Sequence, residues 1–480
     1  MNSFFRSFFF SLIFFTLASC AVGPNYQTPE VSLPFFWWNK APTTPSPDAN
    51  KDLCWWETFK DPLLTQLIRE AQISNLDIEK ALSVIRQARA NVASSKASFF
   101  PALTGSASDT RYKSSKSGSL SGSPGTNASL FSTGFDATWE LDIFGGIQRA
   151  NEAAEASLAS SIEDSRSVLI TMMAEVAQNY INLRFYQHQY KTLKDIVHLW
   201  EEYLRAQKDL YQAGLATDIA VSSVDTSLLQ AQGLVTTADT NVKQCIHQLG
   251  ILLGKEPWAL YKRLENIGDI PSADTVYLSC LPSKIVFERP DIRKAERDLA
   301  AATASVGVSF ANLFPSFLLT GTLGWQGMNT NQLFKSKSSF FTAQPTMSFP
   351  IFDFGKLRSK IDLSEALRDE AFITFKETVL NALQEVENAL TNFANEDERR
   401  MHLKDAMISD EKAYELVDGR FSAGLEDQET ALQAKITALQ TKINYLDSLR
   451  SRSLDIVSLY KALGGGWDTA QSLKDTSAKE

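Results

Sequence analysis

Apolar residues recur along this chain with two different periods, and the periods alternate in a fixed order. From Leu158, apolar or small residues follow at Ile162, Ser165, Leu169, Met172, Val176, Tyr180 and Leu183, steps that average near the 3.5 residues of a helical seam. No proline occurs between Gly146 and Ala213. The pattern therefore predicts one helix of about 67 residues, on the order of 100 Å at 1.5 Å per residue. Val221, Val224, Leu228, Ala231, Val235, Ala238, Val242, Cys245, Leu249 and Leu252 keep the spacing as a return helix, with Cys245 as a core filler. A second return seam runs through Leu432, Ile436, Leu439, Ile443 and Leu446. Upstream, Asp61-Pro62 opens a helix through Leu63, Leu67, Leu76, Leu82 and Ile85, which the proline of Phe100-Pro101 ends. A long helix flanked by two of about 38 residues stacked end to end makes a rod of roughly 100 Å.

Between these helices the period drops to two. Phe131, Thr133, Phe135, Ala137, Trp139 and Leu141 alternate with Ser132, Gly134, Asp136, Thr138, Glu140 and Asp142. The partner strand spans 102–113, and the Ser/Gly-rich stretch 114–129 reads as an exposed loop. Further on, Phe317, Leu319, Gly321, Leu323 and Trp325 alternate with Leu318, Thr320, Thr322, Gly324 and Gln326. A fourth strand sets Phe341, Ala343, Pro345, Met347 and Phe349 against Phe340, Thr342, Gln344, Thr346 and Ser348. Pro345 removes a ladder donor, so that strand is expected to be bulged or edge-like. Ten-residue segments with one apolar and one polar face suit a transmembrane barrel, lipid outside and water inside. Tyr112, Trp139 and Trp325 near strand ends suit its interfacial girdle.

The whole pattern occurs twice. Asn75–Pro101 recurs at Arg289–Pro315 with an offset of 214, while Phe144-Gly145, Tyr211–Leu215 and Leu253-Gly254 recur as Phe354-Gly355, Phe421–Leu425 and Leu463-Gly464 with an offset of 210. The expected organisation is a signal peptide at 1–19 and a lipidated extended segment at 20–60. Repeat 1 follows at 61–270 with a hairpin at about 102–142, then repeat 2 at 271–467 with a hairpin at about 316–350, and a polar tail at 468–480. The fold class is mainly α with a transmembrane β part, a duplicated unit giving four strands per chain. Four strands cannot close, and an open edge in lipid leaves backbone groups unpaired, so the chain is expected to oligomerise. Two copies would fill their bore with side chains; three would leave room for water, and the polar faces favour three.

Composition narrows the class. Charged residues are 21% and aromatics 11%, which fits neither disorder nor a polytopic helical membrane protein. Arg6, the apolar run 8–17 and Leu17-Ala18-Ser19-Cys20 read as a secretory signal ending in a lipobox, with Cys20 the acylated residue. Losing Arg6 with the signal takes the formal charge from −9 to −10, and no nucleic-acid partner is expected. Cys54, Cys245 and Cys280 remain, an odd number that argues against a disulfide framework. His188, His198, His247 and His402 have no metal-site spacing. Gly464-Gly465-Gly466 lacks the Lys and Ser/Thr of a phosphate loop. No catalytic, cofactor or metal site is expected.

Four segments in order, Cys20–Tyr26 (CAVGPNY), Trp55–Leu63 (WWETFKDPL), Phe349–Gly355 (FPIFDFG) and Ala462–Trp467 (ALGGGW), resemble the lipoprotein branch of TolC-like outer-membrane efflux channels, the NodT-type outer-membrane factors. The resemblance implies a homotrimer with a twelve-stranded barrel continued by an α-helical coiled-coil barrel across the periplasm. It further implies an outer-membrane lipid anchor through acylated Cys20, and an exit duct fed through a periplasmic adaptor protein by an inner-membrane pump, usually of the resistance-nodulation-division type. The turns at Tyr211, Gly214 and Leu215 and at Arg420, Phe421, Gly424 and Leu425 read from sequence as glycine-capped helix ends; in the similar family such tips meet the adaptor.

Related channels also carry acidic residues after these turns, in gate rings. Here Ala220 and Thr430 stand where some relatives carry aspartate, leaving Asp218 and Asp427, with Glu426 and Glu429 nearby, for an acidic gate or for ordinary helix starts. Asp136, Glu140 and Asp142 would face the lumen and favour cations. A duct for protein secretion or metal-ion export would look much the same. A lipid-anchored coiled-coil tether would not need the strands.

Overall fold

The computed structural model describes residues 21–30, 37–38, 44–45, 54–115, 117, 127–273, 277–278 and 289–465. Cys20 and the signal, Cys280, most of the loop 114–129, Trp467 and the tail lie outside them. The helices are α1 (Pro62–Ser74), α2 (Leu76–Ala97), α3 (Gly146–Gln212), α4 (Asp218–Leu252), α5 (Pro290–Ala311), α6 (Lys356–Ser422) and α7 (Gln428–Ala462). The long strands are β1 (Ala102–Lys113), β2 (Asn127–Leu141), β3 (Ser316–Gly327) and β4 (Ser339–Ser348). Thr44–Pro45 pairs in parallel with Tyr277–Leu278. Both long helices have 67 residues and both return helices 35, so the duplicated order read from the sequence is realised.

One expectation is corrected. The incoming helix of repeat 1 is not continuous: Asn75, with φ −71 and ψ 130, interrupts it. Its Oδ1 accepts the N–H groups of Asp77 at 2.9 Å and Ile78 at 3.1 Å, so it caps α2, while its amide donates to the carbonyl of Leu252 at 2.8 Å. Arg289, the equivalent residue in repeat 2, donates likewise to the carbonyl of Ala462 at 2.5 Å. Apolar periodicity does not register a cap inside an otherwise helical stretch.

The chain divides into two compact units, each drawing on both repeats. Unit 1 comprises the described parts of 1–30, 84–162 and 294–376; unit 2 comprises those of 31–83, 163–293 and 377–480.

Unit 1 carries the sheet, an antiparallel meander β1-β2-β3-β4 with β1 and β4 as its edges. Its registers are unbroken, from Ala102↔Thr138 to Lys113↔Asn127 and from Ser316↔Ser348 to Trp325↔Ser339. Pro345, opposite Leu319, therefore sits in an edge strand without a bulge. At the foot of the sheet Phe144 stacks on Phe314 with centroids 4.6 Å apart. Arg149, buried, donates to the carbonyl of Val22 at 3.2 Å, to Asn25 Oδ1 at 2.6 Å and to Glu152 at 2.7 Å. It thereby holds the segment that follows Cys20.

Unit 2 holds the larger core. Trp55, Trp56 and Phe59 of the turn Trp55–Phe59 pack with Leu64 and Leu67 of α1, Met173 and Tyr180 of α3, Leu249 of α4, Phe393 of α6 and Tyr460 of α7. Trp55 stacks on Tyr460 at 5.7 Å. Each such side chain contributes roughly 1.5–3 kcal/mol by leaving water. Asp61 caps α1 through the N–H groups of Leu63 and Leu64, and its other oxygen accepts the Tyr180 hydroxyl at 2.8 Å. Burial pushes the Tyr180 hydroxyl up to about 12.

Candidate functional site

The sheet has a polar and an apolar side because alternate side chains point opposite ways. Asp136 lies on the polar side in mid-strand, opposite Thr104 and Thr322. Its carboxylate accepts the hydroxyls of Ser106 at 2.9 Å and Thr322 at 2.8 Å, bridging three strands. Glu140 is paired with Leu318 toward the helix end of β2. Asp142 lies one residue past the strand and accepts the N–H of Gln148 at 2.8 Å, capping the start of α3. Asp353 does the same for α6 through Leu357, also at 2.8 Å. On the opposite side Phe135, Trp139 and Leu141 are exposed.

The two helix tips are near-copies in unit 2. Gly214 (φ 73) and Gly424 (φ 72) adopt the left-handed conformation that ends a helix without a Cβ clash. Leu215 N–H donates to the carbonyl of Leu210 at 2.8 Å, and Leu425 N–H to that of Arg420 at 2.9 Å. The polypeptide thus turns tightly and presents Leu215 at 77% exposure and Leu425 at 69%. Tyr211 and Phe421 are exposed beside them. The Arg420 guanidinium meets Glu426 at 3.1 Å across the second turn. At the first turn Leu210 and Ala216 occupy those positions.

The acidic residues near the tips begin helices. Thr217 caps α4 through the N–H of Ala220, with Asp218 exposed in the first turn. Asp427 caps α7, accepting the N–H of Thr430 at 2.7 Å, and that bond holds its carboxyl below the usual carboxylate range. Glu429 reaches back to α3, where Gln207 donates to it at 3.4 Å. Burial, then the hydrogen bond to Glu429, pushes the Tyr203 hydroxyl up. A groove of about 470 Å³ lies here, lined by Tyr203, Asp410, Glu429 and Gln433 among others.

A chain that pairs two 67-residue helices with four strands of one apolar and one polar face matches a known family. The family sequence profile described as "Outer membrane efflux protein" matches residues 67–255 and 281–465. The chain belongs to that family. It is 29% identical over 475 residues to the probable efflux pump outer membrane protein TtgC of Pseudomonas putida, covering 97% of each chain. It is 30% identical over 468 residues to nodulation protein T of Rhizobium leguminosarum bv. trifolii, covering 96% of this chain and 97% of that one. The structure of the outer-membrane channel OprN superposes with a TM-score of 0.83 at 29% identity, over 93% of this chain and all of that one. The protein is an outer-membrane efflux channel, and the resemblance read from the four sequence segments holds.

Sequence reasoning missed the buried arginines. Arg184 donates to Gln187 at 2.8 Å, to the carbonyl of Asn266 at 2.6 Å and to the Tyr180 hydroxyl at 3.1 Å. Arg289 joins Asp291 at 2.6 Å and Glu385 at 2.7 Å, and Arg452 joins Asp397 at 2.8 Å and the carbonyl of Ala273 at 2.7 Å. The signal available was the recurrence itself, since Arg289 and Asn75 open the matching repeats.

Proposed function

We propose that three copies of this chain close their strands into a twelve-stranded barrel continued by a helical tunnel, a passive exit duct for small molecules. An inner-membrane pump delivers those molecules through a periplasmic adaptor, and an acyl group on Cys20 anchors the assembly to the outer membrane. The observation that carries this reading is a four-stranded sheet with two open edges, one polar face and one lipid-compatible face. Such edges are stable in a bilayer only when paired.

Within this reading the repeats are 61–270 and 271–467. Tyr211, Gly214 and Leu215 with Arg420, Phe421, Gly424 and Leu425 form the adaptor-docking tips, whose exposed leucines fit an apolar groove between adaptor helices. Asp218 and Asp427 supply a ring of negative charge at the tunnel mouth. Asp136 and Glu140 line the barrel with negative charge; Asp142 serves chiefly as a helix cap. The duct itself carries out no chemistry.

The test is conductance of the purified, acylated protein in a planar bilayer, paired with its mass in detergent by light scattering. The expected result is a trimer with stable, cation-preferring unitary currents. A monomer, or a trimer that conducts no ions, overturns the reading. Deleting the gene while leaving the pump intact then shows which compounds accumulate.

A further inference from the structure

Charge is sorted along the strands of the sheet as well as between its sides. Directly paired residues share a side, so the registers assign every residue of the four long strands to one side or the other. The apolar side runs from Leu141, Phe317 and Met347 at the helix end to Phe131 and Trp325 near the loops. Its only charged members among the described strand residues are Asp109, Arg111 and Lys113, which follow one another at the loop end of β1. Leu141 and Phe131 stand ten residues apart. That is about 33 Å along a strand and, tilted by roughly 35–45°, a charge-free belt about 25 Å tall, the height of a lipid-facing band. Arg111, paired with Ser129, and Lys113, paired with Asn127, lie two and four residues beyond Phe131, about 7 and 13 Å further along the strand and therefore at headgroup depth.

The second hairpin supplies two more cations at the same end. Phe334 of the loop between β3 and β4 leans on Trp325 with ring centroids 6.0 Å apart, which holds that loop against the apolar side. Lys335 and Lys337 come next, both exposed. From Ser316 to Ser348 there is no aspartate or glutamate. The carboxylates Glu140, Asp142 and Asp353 stand at the opposite end, where strands meet the long helices. Among the described residues, Arg111 meets one carboxylate, Asp109 at 3.2 Å, and keeps 76% of its side chain exposed, while no carboxylate pairs with Lys113, Lys335 or Lys337.

We infer that this loop-end rim, Arg111 and Lys113 on one hairpin with Lys335 and Lys337 on the other, binds the phosphate groups of the phosphorylated glycolipid of the outer leaflet. The helical end lies in the periplasm, so the loop end meets that leaflet. This inference rests on the barrel reading above, in which the apolar side meets lipid, and it names the lipid that the outer rim takes. Acyl chains would lie on the belt between Leu141 and Phe131, with Trp325 and Phe334 at its outer border. The apolar stems of the lysines and of Arg111 lie along such a surface while their heads reach the phosphates in charge-assisted hydrogen bonds. Asp109 is occupied by Arg111, so it leaves no free carboxylate to repel an anion. A cation beside an anionic membrane surface contributes about fivefold in affinity, so four of them distinguish phosphorylated from neutral headgroups.

The purified, acylated trimer in detergent is titrated with lipid A and with lipid A stripped of its phosphates, and bound lipid per trimer is counted by native mass spectrometry. Lipid A should bind at least about tenfold tighter than the stripped form, by a margin that narrows as salt rises. Arg111→Gln with Lys113→Gln, and separately Lys335→Gln with Lys337→Gln, should each weaken lipid A binding on the order of tenfold and leave the stripped lipid unaffected. Lys404→Gln with Lys412→Gln, exposed on α6 in unit 2, removes the same charge and should alter neither. An equal loss in that control, or equal binding of the two lipids by the native trimer, overturns the rim as a phosphate site. Phosphatidylglycerol bound as tightly as lipid A overturns the assignment to the glycolipid. A monomer in detergent defeats the barrel reading itself, whereas a conducting trimer indifferent to the phosphates defeats this inference alone.

Discussion

At the scale of single residues, the most consequential groups are polar ones held in apolar surroundings. Arg289 is buried and shared between Asp291, Glu385 and the carbonyl of Ala462, where the second return helix ends. Arg289→Ala leaves the Ala462 carbonyl and two partly exposed carboxylates without their donor, a loss of roughly 1–3 kcal/mol. A fall in melting temperature, read by circular dichroism in detergent, is the expected outcome; an unchanged value would show that the network is dispensable. Asp455 behaves in the opposite sense. Burial, then repulsion from Glu396, pushes its carboxyl up to about 6. The folded state holds that proton more tightly than the unfolded chain, so the site favours folding in acid, and that stability is lost as pH rises from about 4 through about 6. Asp455→Asn should therefore raise the melting temperature at pH 7.5 and leave it unchanged near pH 4. An equal gain at both pH values would mean that the titration is not responsible.

At the scale of elements, the tips and the strands are the parts whose form follows most directly from composition. Gly214 and Gly424 hold φ values near 73, and any side chain there strains the turn. Apart from the glycine's own chain neighbours, no atom lies within 4 Å of where a Cβ would stand at either position, so the space around the turn is open. Gly214→Trp and Gly424→Trp should consequently leave trimer assembly intact, cost each tip about 1–2 kcal/mol locally, and block close approach of a partner helix. The expected readout is loss of drug export and of adaptor cross-linking with normal amounts of trimer; unaltered export would remove the tips from the docking surface. Alternation predicted all four strands, and their ends fall within a residue of expectation except at the start of β2, which begins at Asn127, four residues before Phe131 and inside the stretch read as a loop. It could not foresee that Asp142 turns from the strand to cap α3, nor that Asn75 divides the incoming helix, because both depend on a single side chain meeting nearby backbone N–H groups.

At the scale of the whole molecule, the proposed duct makes charge on the polar side of the sheet the expected determinant of what passes. Asp136 is anchored by two hydroxyl donors and carries negative charge in mid-strand, and the narrow water-filled bore proposed above would focus its field. Currents through the trimer should reverse at a potential favouring cations. Asp136→Asn with Glu140→Gln should reduce that preference measurably at low salt and less at high salt, where screening is short-ranged. A reversal potential unmoved by the double variant would locate the selectivity elsewhere, with Asp218 and Asp427 the next pair to neutralise.

The repeat, the lengths of the two long helices, strand number and the left-handed turns were legible in the order of residues, because each reflects local periodicity or a local backbone demand that a few neighbouring side chains express. The contacts that hold these pieces together were not. Arg149 gathering the segment after Cys20, Arg184 binding a carbonyl 82 residues away, and Glu429 reaching α3 all join positions remote in sequence. A long flexible side chain carries no periodic mark of its partner, and only the folded chain decides which carbonyl or carboxylate comes within its reach.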